Sequence, residues 1–308
     1  MPSWQKTKIE KMQFAAVIVI YRPKIKDLAA LIESIREQVD TVYIMNNGAS
    51  GEVERFLEAQ GVQVFDMQGN RGIAMALNTA AAQAKKSGLD FLVTFDQDSV
   101  AKPGHVQGLY QCWREKQNQG VAVGGVGPGF YDTRSGQDFQ YPFYRGRGLR
   151  VEKIYPSDAG GIVETDILIT SGMLVSVDVI LKNEFREELF IDFVDTEWCF
   201  RINQRGYQNF GCFNVSMQHE LSEAAPKKMA GMTLLKYSPL RRYYFFRNCC
   251  YVLAKPYTPW AFKLRMGVSM LIRLATLWKI DENPGASLKM SLSGIWDAIR
   301  GRMGKLNA

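Results

Sequence analysis

None of the five cysteines, Cys112, Cys199, Cys212, Cys249 and Cys250, stands at C-x-x-C spacing from another. The chain gives no sign of a disulfide framework, so a reducing, cytosol-facing compartment is expected. Long apolar runs are missing too. A spanning helix needs about 18 uninterrupted apolar residues, and the nearest stretch, residues 266–278, contains Arg273. There is no internal repeat and no low-complexity segment. Lys6, Lys8 and Lys11 precede the apolar residues 14–21 much as in a signal peptide, but Arg22-Pro23-Lys24 follows instead of a small-residue cleavage site. That run is expected to be a buried first strand.

Phosphate-binding glycines are absent where nucleotide enzymes of two large classes need them. A dinucleotide-binding dehydrogenase carries G-x-G-x-x-G after its first strand, so that the backbone can approach a pyrophosphate. Here the turn reads Tyr21-Arg22-Pro23-Lys24. Gly124, Gly125, Gly127 and Gly129 have the wrong spacing and are expected in a loop. No G-x-x-x-x-G-K-[ST] occurs, which excludes a P-loop.

What is present suffices for a folded enzyme. With 308 residues, 46% of them hydrophobic, the chain can bury one large core, or one core plus a smaller unit. Residues 15–21, 41–45, 62–67 and 91–95 read as short β-rich runs. Helical patterns separate them: Ile25, Leu28, Leu31, Ile32 and Ile35 first, then residues 52–59 and 72–86. This alternation predicts an α/β fold with a mostly parallel sheet and flanking helices. Residues 120–158, rich in Gly, Tyr, Arg and Asp, are expected as long loops over a sheet end. Strand character returns around Ser171-Gly172, followed by a mostly helical pattern over 177–206.

In such sheets ligands bind beyond the carboxyl ends of the strands. Tyr21, Asn46, Asn47, Asp96 and Asp98 all fall there. The stretch "FDQDS" sets Asp96 and Asp98 two residues apart at the end of the fourth strand, where alternate side chains share a face. A divalent cation is the object such a pair would hold. Taken alone, the pattern also fits a solvated acidic turn.

Charge is unevenly divided. From Ala225 to the end there are 15 Lys or Arg against 3 Asp or Glu, a net of +12, so the overall +7 leaves −5 for residues 1–224. The Trp, Phe, Leu and Met content of this basic tail suits an anionic bilayer better than nucleic acid. "SPLRRYYFFRN" combines Arg241, Arg242 and Arg247 with four aromatics. That composition suits phosphate pairing at a membrane interface, and equally a packing helix. At helical spacing Arg265, Arg273 and Lys279 gather in one sector, leaving a broad apolar surface for headgroups or for self-association into a homo-oligomer.

Four blocks in order carry a resemblance: "VIVIYRP" (17–23), "MNNGAS" with "GNRGIAMALNTA" (45–50 and 69–80), "TFDQDS" (94–99) and "LFIDFVDTEWCFRINQRGY" (189–207). "QHE" around His219 follows. Over residues 14–225 the chain resembles family-2 glycosyltransferases of the GT-A fold, a Rossmann-like sheet, and most of all their bacterial rhamnosyltransferase branch. The resemblance implies a glycosyltransferase domain over 1–225 and a helical region over 226–308 that associates with membrane or oligomerises.

The resemblance also implies roles. Asp96 and Asp98 match the D-x-D that presents a divalent cation, Mg2+ or Mn2+, to a nucleotide-sugar diphosphate, and the counterpart of His219 completes the metal site in several members. Asp195 matches the general base. The Glu that precedes that base in the family is Val194 here, so Asp192 and Glu197 stand as substitutes. Were the helix to include both, Asp192 and Asp195 would share a face. Tyr21, Asn46, Asn47, Asn70 and Gly72 match donor-contacting positions, Asn46 standing where an Asp often meets the nucleoside. Turn geometry is the other reading of these asparagines and glycines. His105 carries no such context. The implied reaction is a single inverting displacement, with dTDP-β-L-rhamnose as donor and a polyprenyl-diphosphate-linked glycan as acceptor. It would serve O-antigen or another surface polysaccharide on the cytoplasmic face of the membrane, as a peripheral enzyme. A UDP-hexose donor, or a non-catalytic nucleotide-sugar-binding scaffold, is the alternative.

Overall fold

The computed structural model describes residues 12–132, 139–156, 161–218, 227–229, 232–234 and 237–306. Its first part is the expected alternation: β1 (Phe14–Ile20), α1 (Ile25–Ile35), β2 (Thr41–Asn46), α2 (Gly51–Glu58), β3 (Gln63–Asp66), α3 (Ile73–Lys86) and β4 (Phe91–Asp96). Then come α4 (His105–Asn118), β5 (Val123–Asp132), β6 (Phe139–Gln140), β7 (Phe143–Arg147), β8 (Arg150–Ile154), β9 (Ile162–Thr165), β10 (Met173–Ser176) and α5 (Val177–Lys182). A 3-10 turn (Glu187–Leu189) leads to α6 (Val194–Gln204), β11 (Gln208–Gln218) and the short pair β12 (Lys227–Met229) and β13 (Met232–Leu234). Four helices close the chain: α7 (Pro239–Ala254), α8 (Trp260–Ala275), α9 (Leu277–Ile280) and α10 (Pro284–Ile299).

The central sheet has the order β3-β2-β1-β4-β10-β5-β11-β9, with β6 added on β5. Strands β1 to β4 pair in parallel, and β10 enters antiparallel between β4 and β5. Both faces of β1 are covered. Ala15 and Val17 join an apolar cluster with α3, α5 and α6, while Ala16, Ile18 and Ile20 join a second cluster with α1, α2 and α4. Alternation of side chains across the pleat produces this division, and burial on both faces explains why the strand reads as a continuous apolar run. The spacing of Leu28, Leu31, Ile32 and Ile35 puts all four on the buried side of α1.

Two expectations need correction. Most of the described residues between 120 and 156 are strand, and the glycines expected in a loop lie in β5, within the sheet. A Cβ at Gly124 would sit 2.5 Å from Ile202, and one at Gly127 2.8 Å from Leu168. These positions are glycine because α6 and the segment before β10 press onto the strand, a cause invisible to periodicity. Cys112 of α4 and Cys212 of β11, 100 residues apart, form a disulfide. No local spacing announces a pairing that the α4–β11 contact creates.

The C-terminal helices pack onto the rest of the protein. Ser238 caps α7 by accepting from the Arg241 amide, Asn283 caps α10 by accepting from the Ala286 amide, and proline follows each cap. Helices α7 and α10 meet at Gly294, where a Cβ would approach the Tyr243 carbonyl to 2.4 Å. Arg242 is buried in a two-pronged ion pair with Asp281. Arg247 is buried too, donating to the carbonyls of Leu189 and Gly304. These two arginines of "SPLRRYYFFRN" therefore serve packing, not headgroup phosphates. No described helix is long and apolar enough to cross a membrane.

Candidate functional site

A cleft of about 910 Å3 opens beyond the carboxyl ends of β1, β2 and β4. Tyr21, Asn47, Asn70, Gly72, Asp96, Asp98 and Asp195 all line it. Seven residues singled out from separate blocks of sequence are thus brought to one place.

One wall is a turn system. The side chain of Asn47 donates to the Gly72 carbonyl at 3.1 Å and accepts from the Arg71 amide at 3.1 Å, tying the end of β2 to the loop before α3. Asn70 accepts from the Gly72 amide at 3.1 Å. Gly72 has φ +85°, and a Cβ there would lie 2.5 Å from the Phe190 carbonyl. Asn46 is placed differently. Its carboxamide oxygen accepts from the amides of Gly48 and Ala49 at 2.9 and 2.7 Å, and it does not line the cleft. The side chain of Asn46 shapes the turn after β2.

The floor carries Asp96 and Asp98. Gln97 between them accepts from the Tyr21 amide at 2.8 Å, joining the ends of β1 and β4. Ser171, on the segment entering β10, reaches Ser99 at 2.8 Å and the Asp96 amide at 3.4 Å. His105 supports this segment from behind. Its Nε2–H donates to the Gly172 carbonyl at 3.2 Å, and burial lowers its pKa to about 4, so the ring is neutral and structural. Thr170 and Ser171 line the cleft, and the sequence signalled them only through the strand character around Ser171-Gly172.

Asp195 stands in the first turn of α6. Its carboxylate is raised to about pKa 6, above all by desolvation. Backbone hydrogen bonds from Thr196 and Thr170 oppose the shift, and the negative charge of Asp96 adds to it. The helix does not extend back to Asp192. Asp192 and Phe193 have φ of +59° and +63°, left-handed residues before the first turn, so Asp192 and Asp195 do not share a helix face as the spacing suggested. Asp192 lines the cleft but pairs with Arg241 at 3.3 Å, and burial raises its pKa. Glu197 points into the protein. It is fully buried, with Arg201 Nε 2.8 Å away and the Tyr257 hydroxyl donating to it, so it is no alternative base. Cys199 is buried, and its sulfur accepts from the Leu168 amide at 3.4 Å.

Tyr237, Arg241 and Phe245 form the far wall, contributed by the start of α7 and the residues before it. The sequence left Arg241 open between phosphate pairing at a membrane interface and a packing helix, and gave no sign that it walls this cleft. His219 lies outside the described residues. Among those described, no three of His, Cys, Asp and Glu group as a metal site. Asp96 and Asp98 nevertheless fit a hard divalent cation. They offer only oxygen donors, and their negative charge at the cleft is what a cation would neutralise.

The family profile described as Glycosyl transferase family 2 matches residues 16–162. Over 291 residues the chain is 30% identical to a protein of Shigella flexneri described as dTDP-rhamnosyl transferase RfbF, covering 94% of this chain and 96% of the relative. Among solved structures, GalNAc-T7 with UDP, GalNAc and Mn2+ aligns with a TM-score of 0.58 at 11% identity, covering 95% of this chain and 57% of that one. S. aureus TarS 1-349 in complex with UDP-GlcNAc aligns with a TM-score of 0.55 at 10% identity, covering 94% and 93%. At such identities the two structures speak for the fold.

Proposed function

The chain belongs to glycosyl transferase family 2 and is a glycosyltransferase of the GT-A fold, and from that premise we propose that it transfers L-rhamnose from dTDP-β-L-rhamnose with inversion. The observation that carries this reading is the single cleft shared by Asp195 and the Asp96/Asp98 pair.

Asp195 takes the proton from an acceptor hydroxyl as that oxygen attacks the anomeric carbon. The new carbon–oxygen bond forms as the bond to the diphosphate breaks, and dTDP leaves with both electrons. A carboxylate of raised pKa suits this work, because it is a stronger base than an exposed aspartate while still ionised near neutral pH. Asp96 and Asp98, with His219, would hold Mg2+ or Mn2+, which when bound supplies positive charge beside the departing diphosphate. Tyr21, Asn47, Asn70 and Gly72 bound the nucleoside side of the cleft, and Asn46 shapes the turn that carries Asn47.

The choice of donor is supported by the relative described as a dTDP-rhamnosyl transferase. The acceptor is a glycan on a polyprenyl diphosphate, reached at an anionic membrane surface by residues 226–308 and extended by the catalytic unit of residues 1–225. The product is O-antigen or another surface polysaccharide.

Thermal stability against dTDP-rhamnose, dTDP, UDP-sugars and GDP-sugars, each with Mg2+, Mn2+ or chelator, tests this. A donor at about 100 times its dissociation constant adds about 2.7 kcal/mol. A shift specific to dTDP-rhamnose and lost with chelator is expected. A shift with UDP-sugars replaces the donor, and no shift with any nucleotide sugar sinks the proposal.

A further inference from the structure

Of the 14 large apolar residues that the described part of the protein exposes, eight lie between Trp260 and Ile299. They are not scattered. Trp260, Leu264, Val268 and Leu271, each between 48% and 68% exposed, follow one another at steps of four, four and three. At 100° per residue they share a sector of about 80°. The opposite side of α8 is turned inward: Phe262 is buried against Phe200, and Met266 packs into the same cluster. Trp278, on α9, is 63% exposed. A second stripe on α10 comprises Leu292, Trp296 and Ile299. Nothing within the described protein covers either stripe.

Cations accompany the apolar residues. Lys263 lies over the Trp260 ring at 5.2 Å and Arg300 over the Trp296 ring at 4.3 Å, while Lys279 and Lys289 are exposed. Acidic residues are few. Of the three after residue 225, Asp281 is occupied by Arg242, Asp297 accepts from the Tyr243 hydroxyl with Arg302 at 3.8 Å, and Glu282 is exposed.

We infer that α8 docks flat on an anionic lipid bilayer, its Trp260–Leu271 stripe entering the headgroup boundary with the flanking cations on lipid phosphates. Charge decides between the two occupants an apolar stripe of this kind admits. A second copy would bring one basic surface against another, with almost no carboxylates to pair, whereas anionic headgroups neutralise it. The length fits as well, since 16 residues of helix span about 24 Å. That is too short to cross a bilayer at this composition and ample to lie on one. The inference refines the membrane-bound acceptor proposed above, on which it rests only for its purpose.

Full-length protein is sedimented with vesicles of phosphatidylcholine alone, or with phosphatidylglycerol added, and tryptophan quenching by brominated lipid is read in parallel. Donor-induced thermal stabilisation is measured on the same samples. Binding that requires phosphatidylglycerol is expected, with quenching. The double variant Leu264→Glu/Leu271→Glu should weaken binding by more than about tenfold, while its melting point and donor shift stay those of the parent. A Lys279→Glu/Lys289→Glu variant should lose binding at physiological salt. Equal binding by the Leu264→Glu/Leu271→Glu protein overturns the inference, as does equal binding to neutral vesicles. A dimer that the leucine substitutions dissociate, with no vesicle binding by the parent, makes the stripe a self-interface and also overturns it. Loss of the donor shift in the parent protein counts against the proposed function and leaves vesicle binding to be judged separately.

Discussion

The side-chain nitrogen of Asn248, buried in α7, lies 2.9 Å from the carbonyl oxygen of Asp192. The same amide reaches the carbonyls of Leu189 at 2.9 Å and Ile191 at 2.6 Å. Phe190, Asp192 and Phe193 all have positive φ, a conformation that costs about 1 kcal/mol or more per residue and persists only where surroundings fix it. A helix from the last quarter of the chain thus sets the loop that leads into Asp195.

Asn248→Leu keeps the volume and removes the donor. The protein should lose about 1–3 kcal/mol, seen in chemical denaturation, and transfer should fall with it. Hydrogen exchange over residues 189–195 should rise more than elsewhere. Unchanged exchange there would show that α7 does not hold the loop.

Asp195→Asn should abolish transfer and leave the donor shift intact. It should also stabilise the protein above pH 6. The folded state holds the Asp195 proton more tightly than the unfolded chain, whose pKa is near 3.8, so stability falls as pH rises from about 4 to about 6. The asparagine protein lacks that fall. Its advantage at pH 7.5 should be about 2 kcal/mol, allowing for solvent in the cleft, and should vanish below pH 4. Melting curves across pH read both limits.

Asp98→Ala should leave the melting point unchanged without nucleotide and erase the metal-dependent part of donor stabilisation. Titration with dTDP-rhamnose in Mn2+ and in chelator should then give equal affinities. A difference that persists would move the cation elsewhere.

Gly72→Ala forces a side chain into the Phe190 carbonyl and a backbone region open to glycine. The strain should cost about 1–3 kcal/mol, and donor affinity should fall because Asn47 and Asn70 both hold this turn. Calorimetric titration with nucleotide checks it.

Glu197→Gln should behave as a structural lesion. It leaves Arg201 buried without its counter-charge, a loss of about 3–5 kcal/mol. The folded fraction at low temperature should turn over normally. A variant that is stable but inactive would return Glu197 to the list of candidate bases.

The β-α alternation up to β4 was legible because β1, β2 and β4 are apolar on both faces and each helix repeats at 3.6 residues. The convergence of Asp96, Asp98 and Asp195 on one cleft was foreshadowed by the resemblance that singled out their blocks. Asn46 and Asn47 illustrate the limit. Adjacent and chemically identical, they differ in which way the turn aims them, and only Asn47 faces the cleft. Asp192 and Glu197 were open as bases on the same grounds, until Arg241 paired with the first and the buried Arg201 with the second.

The sequence by itself determined the order of elements up to β4, the strand ends that carry Asp96 and Asp98, and the basic, aromatic character of the last 84 residues, since periodicity and composition are local properties. Only the tertiary structure decided that β5 is glycine-rich because helix α6 and Leu168 press on it, that Cys112 meets Cys212, and that α7 walls the cleft. Each of these depends on a contact between residues far apart in the chain, and no spacing along one segment records what another segment will bring against it.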